Sequence, residues 1–260
     1  MITVAALSGG RDSTAMVLKY LENGGDIDYI IINDTLNEFP LMYEYINKLA
    51  KYISCKYGKQ IIRLKPVTTF EHWVFGKMTR GKSKGSIRGL PKIIDPCYWR
   101  RESKIKPYDL FIKSLGCDST KNVTKLLGYT SSEKERASKV TKDIEKYPLI
   151  EWNWCEGDVD EYLKSIDMVN PLYKYFSRTG CAFCPYMSLR SYYIVWKFYN
   201  DVWLYMKKIE RKLRHINRLG SKVVNDRWHI KYTLLELEED FISGKKDYDD
   251  TPAKDCVCAI

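Results

Sequence analysis

Short apolar runs alternate with amphipathic stretches over the first half of the chain. Ile2 to Leu7 is an apolar run that stops at Ser8-Gly9-Gly10-Arg11-Asp12-Ser13. Thr14 to Leu21, with Ala15, Met16, Leu18 and Leu21 apolar, then predicts a helix closed by Gly24-Gly25. Tyr29 to Ile32 reads as a second buried strand. Pro40 to Tyr52, with Leu41, Tyr45, Leu49 and Tyr52 at helical spacing, reads as a second helix. Ile61 to Leu64 makes a third strand and Val123 to Leu127 a fourth. Tyr147 to Trp152 reads as a short fifth strand or an extended loop, and Asp158 to Ile166 as a helix. Strand–helix–strand–helix–strand predicts an α/β fold with a doubly wound, mostly parallel sheet.

The pattern breaks from Gly76 to Lys106, where ten Lys and Arg stand against Asp95 and Glu102. This basic loop suits phosphates, with Trp73, Tyr98 and Trp99 as stacking faces; the plain alternative is a solvated loop. Beyond Cys184 the chain turns aromatic and basic, and it reads as helical through Arg218 and again from Tyr232 to Ile242. Tyr192, Trp196 and Trp203 are spaced for a helix core. The expected organisation is an α/β domain over 1–186, including the basic loop 76–106, followed by a helical C-terminal appendage over 187–260.

Composition narrows the function. The 260 residues carry 43 Lys and Arg against 33 Asp and Glu, a net +10 that favours anionic partners: nucleotides, nucleic acid or an acidic protein. No apolar run approaches the ~20 residues of a membrane span, and the N-terminus lacks a signal-peptide pattern. A cytoplasmic protein without a membrane partner is expected. In that setting eight cysteines point to metal, cluster or catalytic thiols rather than disulfides.

The loop Ser8 to Ser13 joins the first strand to the first helix. Such a loop presents successive backbone N–H groups and a helix N-terminus, a ready anion site. Its glycines let backbone approach phosphate, Ser8 and Ser13 add hydroxyls, and Arg11 can bridge phosphate oxygens. It lacks the Gly-Lys-Ser/Thr ending of a Walker A loop. The plain alternative is a turn with Asp12 or Ser13 as N-cap. Cys181-x-x-Cys184 has the bite for two thiolates on one metal or cluster, and a redox pair is a further reading. Cys55, at a helix end, reads as packing. The three histidines sit in no ligand pattern.

Ser-Gly-Gly-Arg-Asp-Ser resembles the Ser-Gly-Gly-Lys-Asp-Ser PP-loop of the adenine nucleotide alpha hydrolase superfamily. Asp34-Thr35-Leu36-Asn37-Glu38-Phe39-Pro40 resembles the Asp-Thr-Gly-x-Glu-x-Pro segment of its phosphoadenosine phosphosulfate (PAPS) reductase-like branch. Cys97 with Lys104-Ile105-Lys106-Pro107, Gly128 with Glu133-x-x-Arg136, Asn170-Pro171-Leu172-Tyr173 and Arg178 to Pro185 continue the series in order. The chain departs from the pattern at Arg11, in place of Lys, and at Leu36, in place of Gly. It also lacks the Glu-Cys-Gly-Ile/Leu-His segment that carries the reductase nucleophile.

The resemblance implies an enzyme that binds ATP, or PAPS or adenylyl sulfate, with Mg²⁺. Ser8, Gly9, Gly10, Arg11, Asp12, Ser13, Asp34, Thr35, Gly128 and Glu133 would hold the nucleotide, and Arg11, Asp12 and Arg136 would act in catalysis. Without the resemblance, Glu133 and Arg136 read as an ordinary i,i+3 surface pair. Cys97 matches the family's upstream ligand, so a 4Fe–4S cluster on Cys97, Cys181 and Cys184 is expected, with Cys155 and then Cys117 as fourth-ligand candidates. Zinc would use the same thiolates. The leading reading is an ATP pyrophosphatase that adenylates an acceptor for sulfur transfer, with tRNA or DNA as acceptor and a sulfur-donor protein as partner. The alternatives are a sulfonucleotide reductase using Cys256 or Cys258, and a non-catalytic nucleotide- or nucleic-acid-binding module.

Overall fold

Strand β1 (Ile2–Leu7) buries Val4, Ala5 and Leu7, and helix α1 (Arg11–Glu22) packs directly on it. The computed structural model describes residues 1–92, 97–118, 120–138 and 144–248. After β1 and α1 come β2 (Tyr29–Asn33), α2 (Pro40–Tyr57) and β3 (Ile61–Leu64). Pro40 occupies the first turn of α2, where its missing N–H costs nothing. Gly58 ends that helix in the left-handed conformation, at φ 65°.

The strands β4 (Val123–Leu126) and β5 (Glu145–Lys146) complete the sheet. Among the described residues it has the order β3-β2-β1-β4-β5, and every pairing is parallel. Val4, Ile31 and Val123 line one face of the sheet. Against them lies α5 (Lys106–Ser114), through Tyr108, Phe111 and Ile112. Apolar residues on both faces are what a parallel sheet covered by helices requires. The α/β, doubly wound expectation is met, with a helical C-terminal extension.

The contacts divide the chain into two units. The first holds residues 1–65 and 104–173, which include the sheet; the second holds 66–103 and 174–260. In the first unit, α8 (Glu156–Ser165) packs on α1. The second unit contains α3 (Phe70–Phe75), the short α4 (Tyr98–Arg100), α9 (Leu189–Phe198), α10 (Asn200–Arg218) and α11 (Leu234–Ile242). Its core is aromatic. Phe70 packs 4.7 Å from Phe183, 5.2 Å from Trp99 and 5.9 Å from Trp228, measured between ring centroids.

Three expectations are corrected here. Residues 147–152 are neither strand nor extended loop. Pro148 opens a helical turn, α7 (Pro148–Glu151), and the strand is the preceding Glu145–Lys146. Trp73 and Trp99 are buried in the aromatic core of the second unit, so neither offers a stacking face; Tyr98 is exposed. Cys55 is exposed rather than packed.

Candidate nucleotide site

Helix α1 starts without a side-chain cap. Gly10 is its N-cap residue, in extended conformation, and neither Asp12 nor Ser13 caps it. Ser13 instead folds its hydroxyl back into the loop. Its Oγ accepts the Ser8 N–H at 3.0 Å, lies 2.8 Å from Ser8 Oγ and donates to the Gly10 carbonyl. Ser8 Oγ accepts from the Gly10 N–H at 3.2 Å. The two hydroxyls stitch the loop into a closed ring. Among the described residues, the amides of Gly9, Asp12 and Ser13 find no acceptor. Such an open first turn carries the positive end of the helix dipole.

Two groups from a later segment hold the loop from outside. The buried Asn170 donates Nδ2–H to the Gly9 carbonyl at 2.8 Å, and its Oδ1 accepts from the Leu172 N–H. The Tyr173 hydroxyl accepts the Arg11 N–H at 3.0 Å. The sequence resemblance included Asn170-Pro171-Leu172-Tyr173 but assigned it no role. Its role here is to fix the loop backbone. Gly9 sits at φ 78°, and a Cβ there would lie 2.7 Å from Met42 Sδ. Only glycine suits both conditions.

The strand order places this loop at a crossing. The chain winds outward from β1 through β2 to β3, then returns to β4 on the other side of β1. The switch between the two directions falls between β1 and β4, and in open parallel sheets ligands bind there, beyond the strands' C-terminal ends. The Ser8–Ser13 loop leaves one strand and Gly128 follows the other. A Cβ on Gly128 would meet Ser13 N and Cα at 2.8 Å, so glycine lets these two segments touch.

Beyond Gly128, Glu133 ends a short helical turn, Ser131–Glu133, and accepts from Arg136 at 2.8 Å. The guanidinium of Arg136 lies 4.7 Å from the Tyr129 ring centroid. The plain i,i+3 pairing is therefore present, on the same edge as the loop.

Asp12 is a strongly perturbed acid of the site. Burial pushes its pKa up to about 6; Arg11 opposes this, while Glu133, Glu156 and Asp160 add to it. Its Oδ1 is buried and has no hydrogen-bond partner. A buried carboxylate oxygen without a donor is costly unless a cation or proton meets it. Mg²⁺ is bound through one or two protein carboxylates together with substrate phosphates, so Asp12 fits that ion.

Arg11 does not point into open space. Its Nη1 pairs with Asp160 on α8 at 3.1 Å, Glu156 lies 3.8 Å away, and Tyr173 stacks on the guanidinium at 5.1 Å. Nothing in the sequence pattern signalled Asp160, because helical neighbours across the fold leave no local spacing.

The turn after β2 forms the other wall. Asp34, itself buried, accepts from the Leu36 N–H at 2.8 Å and from Tyr43 Oη at 3.0 Å. Burial and the Asp34 charge push the Tyr43 phenol up. Thr35 Oγ1 donates to Glu38 at 2.6 Å. Leu36 takes φ 61°, a left-handed backbone that L-residues other than Asn and Asp rarely adopt. Ser8, Ile32, Asn33, Asp34, Met42 and Tyr43 line a small open cleft between this turn and the loop.

The cysteines fit less well. Cys97, Cys181 and Cys184 belong to the second unit and are half-buried; a tight turn joins the last two, with Cys184 N–H donating to the Cys181 carbonyl at 3.1 Å. Among the described residues, however, no three His, Cys, Asp or Glu side chains are grouped to hold a metal ion. Cys155 belongs to the first unit, where it is the N-cap of α8, its N–H donating to Asp158 at 2.7 Å. Cys256 and Cys258 lie outside the described residues.

No family model matches the chain. An uncharacterised protein of Methanocaldococcus jannaschii, MJ0066, is 24% identical over 226 residues, which is 84% of this chain and 43% of that protein. The chain thus spans less than half the length of this curated relative. Among solved structures, a phosphoadenylyl-sulfate reductase from Candida auris in complex with phosphate is 19% identical, with a TM-score of 0.44 over 66% of this chain and 76% of its own. The U34-tRNA thiolase NcsA from Methanococcus maripaludis, bearing a 4Fe–4S cluster, is 13% identical, with a TM-score of 0.39 over 92% of this chain and 80% of its own.

No helix among the described residues is long and apolar enough to cross a membrane. The parallel sheet of this order, with its glycine loop at the β1–α1 junction, is an open, doubly wound α/β fold.

Proposed function

We propose that the protein is an ATP pyrophosphatase that adenylates an acceptor, the activating step that precedes sulfur transfer. The observation that carries this reading is the uncapped, serine-stitched loop at the sheet's switch point, beside an unpartnered Asp12 carboxylate.

The phosphate chain would lie on the amides of Gly9, Asp12 and Ser13, whose directions are set before substrate arrives by the Ser8–Ser13 stitch and Asn170. Adenosine would occupy the side of the sheet near Leu7 and Asn33 to Thr35. Asp12 would hold Mg²⁺, which when bound neutralises phosphate charge. An acceptor oxygen attacks the α-phosphorus, the bridging bond to the β-phosphate breaks, and pyrophosphate leaves with that electron pair. Negative charge developing on the phosphates is met by amides already aimed at it, so little reorganisation is needed. Arg11 joins them only if phosphate competes with Asp160 for its guanidinium. Arg136, from the β4 side of the crevice, is the second cation of the reaction. No step runs through the cysteines.

Product analysis tests the proposal. The whole chain is incubated with ATP labelled at the α-phosphate, Mg²⁺ and a bulk transfer-RNA fraction, and products are separated chromatographically. Pyrophosphate with AMP or adenylated RNA is expected, and Asp12→Asn should remove most of it. ADP with inorganic phosphate would overturn the proposal. Sulfite release from PAPS, lost when Cys256 and Cys258 are replaced, would favour a reductase instead.

A further inference from the structure

Helix α10 buries Trp203, Met206, Ile209 and Leu213 and carries six Lys and Arg against two acids. Of the two acids, Glu210 lines the cleft beside the helix and faces Arg214. Asp201 lies at the far, N-terminal end. Glu210 is buried, its carboxylate accepting the Trp228 N–H at 3.1 Å and the Leu234 N–H at 2.8 Å. Lys207 pairs with Glu238. Lys208, Arg211, Arg214 and Arg218 form no ion pair with any described residue. Lys212 lies over the Phe75 ring at 4.4 Å.

These side chains line one open cleft of about 880 Å³ between α10 and the start of α11, all within the second unit. Positions 207, 211, 214 and 218 recur at helical spacing, so they form one stripe ~16 Å long. Leu204 and Leu235 add apolar ledges, 50% and 56% exposed.

A regular stripe of cations matches a polymer charged at every residue better than an acidic peptide, whose charges follow its sequence. The apolar ledges discriminate further. A duplex keeps its bases stacked inside and offers nothing to them, whereas the looped strand of an RNA presents unstacked bases. We propose that this cleft binds the single-stranded loop of an RNA, phosphates on the stripe and a base against Leu204 and Leu235. This names the acceptor class of the adenylation and rests on that reading for its purpose, although binding is measurable apart from it.

The test is fluorescence anisotropy of the whole chain with a labelled RNA hairpin carrying an open loop. Matched arms use the DNA hairpin, the fully paired RNA and polyglutamate as competitor. The charge-reversed variant Lys208→Glu/Arg211→Glu/Arg218→Glu changes exposed side chains, and the same positions as Gln control for folding. Reversal should weaken hairpin binding at least tenfold and lower the salt dependence by about 2–3 phosphate contacts, with Gln intermediate. ATP binding by these variants should be unchanged. Equal binding of paired RNA or of the DNA hairpin, displacement by polyglutamate at equal charge, or full affinity in the reversed variant would each overturn the proposal. Hairpin binding that behaves as expected while ATP yields no pyrophosphate would leave the cleft standing and remove the adenylation.

Discussion

Asp12, the metal-binding carboxylate of the proposed reaction, is held at a cost to the fold. Its carboxyl titrates near 6 in the folded protein, against an ordinary value of 3.8, because burial disfavours the charge. The folded state therefore holds this proton more tightly than the unfolded chain. Its contribution to stability is most favourable below about 4, falls as the pH rises toward 6 and stays low above it. Asp12→Asn should accordingly raise the melting temperature at pH 7, by roughly 1–3 kcal/mol of stability, and change it little at pH 3.5. The same variant should lose Mg²⁺-dependent nucleotide chemistry. In the wild type, that chemistry should rise with pH through about 6 as the carboxylate ionises. Denaturation at the two pH values, beside a pH–rate profile, checks both; equal stability effects at both pH values would contradict this account of Asp12.

At the scale of single elements, the turn between β2 and α2 is the clearest case of a sequence departure absorbed by structure. Leu36 holds a left-handed backbone at φ 61°, which costs an L-residue ~1–2 kcal/mol. Its side chain is 44% exposed, so little burial offsets that cost. The turn survives because Asp34 accepts the Leu36 N–H and Pro40 starts the next helix. Leu36→Gly should stabilise the protein by about 0.5–1 kcal/mol, the gain reduced by the extra chain entropy of glycine. Urea denaturation with an unchanged m-value would show it. A loss of stability would mean that the leucine side chain supports the turn. This element was legible from Asp34, Thr35 and Pro40, whereas the conformation of residue 36 was not, since Leu carries no left-handed preference.

Over the whole molecule, legibility followed the range of the interactions. Strands such as Ile2–Leu7 and Tyr29–Asn33 announce themselves because a parallel strand is apolar on both faces, and the loop follows from glycines and serines in one short run. What stayed hidden depends on residues far apart in the chain. Asp160 reaches Arg11 across 149 positions, and Asn170 reaches Gly9 across 161. Trp73 and Trp99 looked like exposed stacking faces in a basic loop, but both are buried against Phe70 and against each other.

The loop's work as a phosphate cradle is the claim on which the rest depends, and calorimetric titration with Mg²⁺–ATP tests it most directly. Wild-type protein should bind ATP. Ser13→Ala, which removes the stitch to Ser8, should bind at least tenfold more weakly, a change of about 1.4 kcal/mol, with its circular dichroism unaltered. Failure of the wild type to bind ATP, or equal affinity in Ser13→Ala and Asp12→Asn, would contradict the assignment of this loop.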